Sequence, residues 1–302
     1  MNESGHFRAY IDKKFSPEHE KIIAAVNHIV EEYESQGFSL TLRQIYYQFV
    51  ARDWMANKDS EYKRLGNIVS EGRLAGLISW TAIEDRGRNL RGYNTFESPA
   101  EAVRSTRAEY KIDMWQNQPW RVEVWVEKAA LEGVIGSICG KLRVDFFATR
   151  GYNSQSEQWQ AGHRFARYIQ KGQRPIVFHL GDHDPSGIDM TRDNRDRLSM
   201  FAGVPITVQR LALNMNQIEE YDPPPNPAKE SDGRHRKYVE EYGTYNSWEL
   251  DALDPKIIHE LIESNVNLIR DEKLWDEMLA REVSELRMLD EVIDLMGGKE
   301  RK

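Results

Sequence analysis

Two short acidic motifs, each directly after an apolar segment, are the part of this sequence best suited to chemistry. The segment 175–180 (PIVFHL) runs into residues 181–187 (GDHDPSG), and the segment 122–126 (VEVWV) runs into Glu127. Burying a carboxylate costs free energy unless a cation or hydrogen bonds compensate it. Carboxylates that follow buried strands therefore point to a binding or catalytic role.

The motifs converge if their strands are neighbours in a parallel sheet. Glu127, Asp182 and Asp184 then meet at the C-terminal edge of the sheet, where open α/β folds bind their ligands. Asp182 and Asp184 have the same parity on an extended segment, so both side chains can point one way. Such oxygen ligands suit a divalent cation, and we expect Mg²⁺, with Mn²⁺ as the alternative. The competing interpretation is a solvent-exposed turn rich in aspartate.

The apolar periodicity around these motifs predicts an α/β fold. Strands and helices alternate beyond residue 120, in the order strand 122–126, helix 129–141, strand 144–148, helix 156–170, strand 175–180, helix 188–201 and strand 205–210. This alternation predicts a parallel, Rossmann-like sheet that is covered on both faces. A helical segment follows over residues 255–296.

The upstream part of the chain is predicted to be a small helical domain. Ser16 and Pro17 give a typical helix start, a second helix begins near Thr41, and a third covers residues 62–74. Three short helices followed by an extended segment and a basic turn resemble a winged helix. We divide the chain into a tail (1–15), a winged-helix domain (16–93), a connector (94–119) and an α/β domain with a helical extension (120–302).

Composition limits the class of protein. Of 302 residues, 40% are hydrophobic and 30% are charged, as in a globular chain, and no apolar stretch approaches the roughly 20 residues that span a bilayer. The single cysteine, Cys139, excludes an intrachain disulfide and a cysteine-based zinc site. These features predict a cytoplasmic protein without a membrane partner. The net charge of -8 argues only weakly against nucleic acid, because basic residues are clustered locally.

The two acidic motifs resemble the signature motifs of the Toprim domain, which topoisomerases, primases and several nucleases share. The sequences are Val124-Trp125-Val126-Glu127-Lys128 and Gly181-Asp182-His183-Asp184-Pro185-Ser186-Gly187. The second is similar to the Asp-x-Asp-Pro-x-Gly motif of the topoisomerase VI A subunit and the meiotic double-strand-break protein. The resemblance covers residues 121–210 and implies that the α/β domain is a Toprim domain.

The same family places a winged-helix domain before Toprim, with a nucleophilic tyrosine in a motif like Arg-Asp-x-x-Tyr. Arg43-Gln44-Ile45-Tyr46-Tyr47 is similar, in the same domain order, and Gln44 stands where the family has an acidic residue. The match implies that Tyr47 is the nucleophile, that Arg43 assists it from one turn earlier, and that Tyr46 is the more buried of the pair. The alternative is a pair of tyrosines that pack on a helix face.

The resemblance implies Mg²⁺-dependent cleavage of double-stranded DNA, in which Tyr47 forms a 5′-phosphotyrosyl link and religation can follow. Glu127 would act as a ligand or as a general acid or base. One alternative is a Toprim nuclease that uses water, and another is a DNA-binding module without catalysis. The expected DNA-binding residues are Arg43, Arg73, Arg86 and Arg88. A homodimer, in which the tyrosine of one subunit meets the metal site of the other, and a separate ATPase subunit are the expected protein partners.

Overall fold

The computed structural model describes residues 7–83, 95–149 and 151–297. The α-helices are α1 (Pro17–Glu34), α2 (Leu42–Ala51), α3 (Asp59–Leu74), α4 (Pro99–Glu109), α5 (Glu132–Leu142), α6 (Gln155–Gln170), α7 (Pro185–Ala202), α8 (Met215–Tyr221), α9 (His235–Tyr242), α10 (Pro255–Ile269) and α11 (Glu272–Gly297). The strands are β1 (Trp120–Val126), β2 (Asp145–Ala148), β3 (Arg174–Leu180), β4 (Thr207–Ala212), β5 (Asn226–Pro227) and β6 (Asn246–Ser247). The predicted α/β class is confirmed.

Strands β1 to β4 form a parallel sheet in the order β2-β1-β3-β4. In the two central strands, Val126 lies opposite Leu180. The amide of Glu127 then donates to the carbonyl of Leu180 (2.9 Å), so both acidic motifs leave the sheet at the same level. This confirms that the two strands are neighbours and that their carboxylates reach one sheet edge.

Helices cover both faces of this sheet. Alternate residues of β1 and β3, such as Val124 and Phe178, pack into a core that includes α5 and α10. The intervening residues Trp125 and Val177 face the other way, into a core with α6 and α7. The resulting helix–sheet–helix sandwich holds the C-terminal edge of the sheet in a fixed position. Among the described helices, none combines the length and the apolar character that crossing a bilayer requires.

Helices α1 to α3 form a second hydrophobic core, from Ile23 to Ile83. This helical unit contacts the α/β part, because the Tyr33 hydroxyl donates to Asp254 (2.7 Å) and Asn57 donates to Asn226 (3.1 Å). The predicted extended segment 78–80 forms no strand, and the basic turn 85–88 lies outside the described residues, so the winged-helix assignment stays a prediction.

Several element boundaries differ from the predictions for local reasons. Helix α7 begins at Pro185 and not at residue 188, because the Asp184 side chain accepts a hydrogen bond from the Gly187 amide and caps it. Helix α3 begins at Asp59, where Asp59 and Glu61 favour the first turn.

Candidate functional site

The loop between β3 and α7 presents both aspartates and depends on a close backbone approach. A Cβ atom at Gly187 would lie 2.2 Å from the carbonyl oxygen of Asp182. A Cβ atom at Gly181 would lie 2.9 Å from a carboxylate oxygen of Glu127. The backbone therefore approaches its neighbours closely at both glycines, which fixes where Asp182 and Asp184 sit relative to Glu127.

We expect Gly187→Ala to destabilise the protein by about 3 kcal/mol, since the new methyl group must displace backbone. The matched control is Gly140→Ala on α5, where a Cβ atom would have no neighbour within 4 Å. That control should be neutral or slightly stabilising, because alanine is the better helix former. Urea denaturation of both variants measures the difference, and equal free energies of unfolding would contradict the steric argument.

Arg210 on β4 organises this loop, and sequence analysis did not identify it. One Nη atom donates to the carbonyls of Gly181 (2.8 Å) and Asp182 (2.6 Å), and the other donates to the Gly187 carbonyl and the Thr191 hydroxyl (both 2.9 Å). Its Nε donates to the carbonyl of Leu213 (3.2 Å). All five N–H groups are therefore used on neutral oxygens. The sequence holds no signal for these bonds, since their acceptors are mostly backbone groups.

A cavity of about 500 Å³ opens at this sheet edge. Charged side chains from five separate segments of the chain line it, namely Arg43, Glu127, Lys128, Asp182, Asp184, Lys229, Glu249 and Asp251. Glu127, Asp182 and Asp184 are the three carboxylates predicted from the motifs. Arg43 comes from the helical unit, so the cavity lies where that unit meets the α/β part.

Glu127 is the least compensated carboxylate of the cavity. Its Oε2 atom accepts a hydrogen bond from the amide of Asp182 (3.0 Å), and it forms no ion pair with any described residue. Burial, together with the nearby charge of Asp182, raises the pKa of Glu127 to about 7. Glu127 therefore changes its protonation state near neutral pH, as a general acid or base must.

Asp182 is buried beside Glu127 but has more partners. Its Oδ1 atom accepts from the amide of Leu250 (2.7 Å), and its Oδ2 atom lies 3.2 Å from the ammonium group of Lys128. Burial raises the pKa of Asp182 to about 6, although Lys128 opposes the shift. The pair Glu127 and Asp182 thus keeps two like charges close together in a poorly solvated place.

Two cations, Lys128 and Arg43, pair with the cavity carboxylates Glu249 and Asp251, and we call these four residues the charged wall. The Lys128 ammonium group lies 2.7 Å from Glu249 and 2.8 Å from Asp251. Arg43 pairs with the same two carboxylates, through a contact with Glu249 and an Nε–Oδ2 distance of 3.0 Å to Asp251. The Asp251 side chain is fully buried, so this network is what permits its charge.

The carboxylates fit a divalent cation in donor type. Glu127, Asp182 and Asp184 supply hard oxygen donors at one cavity, and Asp184, like Glu127, is without an ion pair among the described residues. The Gly187 amide and the Ser186 hydroxyl both donate to Oδ1 of Asp184, whereas its Oδ2 atom accepts no hydrogen bond from a residue that the structure describes. In the present side-chain arrangement, no three His, Cys, Asp or Glu residues of the described ranges form an ion-holding group. The Mg²⁺ site stays a prediction.

Tyr46 and Tyr47 are equally buried, each 4% exposed. The prediction that Tyr46 is the more buried of the two is therefore wrong. The Tyr46 hydroxyl binds the backbone of residues 56 and 58, including the Lys58 amide at 2.7 Å. The Tyr47 hydroxyl accepts a hydrogen bond from Arg43 (3.4 Å). Burial, and then the charges of Asp251 and Glu249, raise the pKa of Tyr47. Tyr47 thus lies beside the cavity network as a neutral phenol.

Gln44 has a structural role in α2. Its side-chain oxygen accepts from the Thr41 amide (2.8 Å) while the Thr41 hydroxyl accepts from the Gln44 amide, which forms a capping box. Gln44 therefore stabilises the start of α2, the helix that carries Arg43 and Tyr47, although the motif it resembles has an acidic residue at this position.

The expected DNA-binding arginines have different surroundings. Arg43 is engaged with carboxylates at the cavity. Arg73, in the last turn of α3, donates to the carbonyl of Ile83 (2.7 Å) and lies over the ring of Trp80. Arg86 and Arg88 fall outside the described residues, so a basic surface that joins all four stays a prediction.

Comparisons with protein-family models, with curated proteins and with solved structures find no match to this chain. The resemblance of its two motifs to Toprim therefore stays a prediction from the sequence. What the chain does must be argued from the cavity itself.

Proposed function

We propose that the protein cleaves DNA at the acidic cavity in a reaction that depends on a divalent cation, with Tyr47 as the attacking group. The observation that carries the proposal is the position of Arg43, which contacts the Tyr47 hydroxyl and also the cavity carboxylates Glu249 and Asp251. A tyrosine hydroxyl and an acidic cluster from distant segments are thereby joined within one chain.

In this reaction the Tyr47 hydroxyl gives its proton to a cavity carboxylate, its oxygen forms a bond to phosphorus and the bond to the 3′ oxygen breaks, leaving a 5′-phosphotyrosyl link and, after protonation, a 3′ hydroxyl. Arg43 would stabilise the phenolate and the charge on the phosphate. Glu127, with a pKa of about 7, suits proton transfer to the departing oxygen. Asp182 and Asp184 would hold Mg²⁺, which would stabilise charge on the phosphate and the leaving group, and Glu127 would either complete the metal site as a third ligand or supply that proton.

A second candidate, hydrolysis by water at the same carboxylates, is favoured by the burial of Tyr47. Its side chain is 4% exposed, and burial disfavours the phenolate. Tyrosine attack requires the helical unit to expose Tyr47 when DNA enters, whereas hydrolysis does not.

Tyr47→Phe distinguishes the two reactions, because it removes one hydroxyl group. We expect the variant to fold and to bind DNA, but to lose both cleavage of supercoiled plasmid with Mg²⁺ and capture of covalently attached protein under denaturing conditions. The loss should be at least about 100-fold, as for removal of a nucleophile.

Tyr62→Phe is the matched control, since Tyr62 packs against Tyr46 in the same core. It should retain activity. Cleavage by Tyr47→Phe without any covalent product would assign the reaction to water. Absence of cleavage in the wild-type protein with Mg²⁺ or Mn²⁺ would contradict both candidate reactions.

A further inference from the structure

The segment before α1 is anchored to the end of α3. The amides of Tyr10 and Ile11 both donate to the carbonyl of Leu74, at 2.7 and 3.2 Å. Gly76 has a φ of +73°, and a Cβ atom there would lie 2.7 Å from the carbonyl oxygen of Phe7. The backbone of this arm is therefore held in place while its side chains face solvent.

Two exposed aromatic rings meet here, Tyr10 of the arm and Trp80 of the segment that follows α3. Tyr10 is 60% exposed and Trp80 is 41% exposed, although large aromatic side chains usually bury most of their surface. Their ring centroids are 5.9 Å apart in an edge-to-face arrangement (88°). The contact orients both rings and leaves ring surface open to a ligand.

One arginine lies beside each of the two rings. The Arg8 guanidinium lies 5.5 Å from the Tyr10 centroid, and that of Arg73 lies 5.9 Å from the Trp80 centroid. Lys14 is exposed on the same arm, and Lys13 is paired with Glu71. We call Arg8, Tyr10, Lys14, Arg73 and Trp80 the aromatic–cationic surface.

We propose that the aromatic–cationic surface binds single-stranded DNA, with unpaired bases stacked on Tyr10 and Trp80 and phosphates near the cations. Stacking of this kind tolerates any base, since every base has a π face, and cations that follow the backbone accompany it. A duplex interior offers no free base faces, so the surface selects unpaired segments. This surface shares no residue with the lining of the acidic cavity, and its test does not depend on cleavage.

The test measures binding by fluorescence anisotropy, with a labelled oligothymidylate of about 20 nucleotides and a blunt duplex of equal length. Tyr10→Ala and Trp80→Ala should each weaken binding of the single strand about tenfold. Tyr10→Phe, which keeps the ring, should bind as the wild type does. Arg8→Ala should reduce the slope of log K against log salt by about 0.7.

Trp159→Ala on α6 is the matched control, because Trp159 is 49% exposed and outside this surface. It should leave the affinity unchanged, and thermal melts should show that every variant is folded. Failure of the wild-type protein to bind the single strand, a loss below twofold in both alanine variants, or an equal loss on the duplex would overturn the proposal. So would a wild-type dimer in light scattering that Trp80→Ala converts to monomers.

Discussion

Glu127→Gln is expected to stabilise the protein at pH 8 by on the order of 2 kcal/mol in the absence of divalent cations. Glu127 is partly buried beside Asp182 and Asp184, with Lys128 and Arg210 as the nearby cations, and its pKa is raised to about 7. At pH 8 the wild-type carboxylate must carry a charge that its surroundings oppose. Glutamine keeps the shape and an oxygen acceptor for the Asp182 amide without that charge.

The same substitution should flatten the pH dependence of stability. With folded pKa values raised to about 7 for Glu127 and about 6 for Asp182, the folded protein binds protons more tightly than the unfolded chain. This contribution is fully present below the unfolded pKa values, near pH 4, and is lost as the pH rises through the folded values. Wild-type stability should therefore fall between about pH 4 and pH 7, and Glu127→Gln should lose much of that slope.

Urea denaturation across this pH range, with and without Mg²⁺, measures both effects. Cation binding at ten times Kd would stabilise the wild type by about 1.4 kcal/mol at pH 8, and Glu127→Gln should lose that gain. Glu132→Gln, at an exposed position of α5, serves as the control and should match the wild type. A Glu127→Gln variant that is less stable than the wild type at pH 8 would contradict the expectation that the ionised Glu127 carboxylate destabilises the fold.

Lys128→Met should destabilise the protein by about 3 kcal/mol at neutral pH. The methionine side chain replaces most of the aliphatic stem, so the main loss is the ammonium group between Asp182, Glu249 and Asp251. Asp251 is fully buried and would keep only its contact with Arg43 among the described cations. The deficit should shrink as the pH falls, because protonation removes the uncompensated charges.

Lys141→Met is the matched control, because the Lys141 side chain is 67% exposed and its pair with Glu263 lies at the surface. Its effect should stay within about 0.5 kcal/mol. Addition of Asp182→Asn to Lys128→Met should recover part of the loss, since one of the excess charges is then gone. A loss of equal size in Lys128→Met and Lys141→Met would show that the network contributes little.

The sequence predicts the sheet and the three motif carboxylates well because both signals are local. Apolar strands that end in acidic residues identify β1 and β3, and the pairing of parallel strands then places Glu127 and Asp182 at one edge. The contacts within the charged wall could not be predicted in this way. Arg43 and Glu249 are 206 residues apart, and only tertiary packing brings them together.

The local sequence pattern also could not predict how deeply individual side chains are buried. Tyr46 and Tyr47 are adjacent on α2, yet both are buried, because Tyr46 binds the turn at residues 56–58 and Tyr47 faces Arg43. In the sequence, Arg210 is one of many cations and nothing distinguishes it. In the structure, it binds carbonyl groups of the loop 181–187. Such roles come from backbone geometry, which residue types do not encode.

The long separation between Arg43 and its partners also bears on the order of events during synthesis. Chains emerge from the ribosome N-terminus first, and their early parts can fold before the rest exists. The helical unit and β1 to β4 are complete before residue 249 is made, so Lys128 and Arg43 then lack the carboxylates that fix them. A nascent chain therefore carries Tyr47 and the aspartate loop without the carboxylates of the charged wall, and the proposed DNA cleavage would have to wait until residues 249–251 have been made.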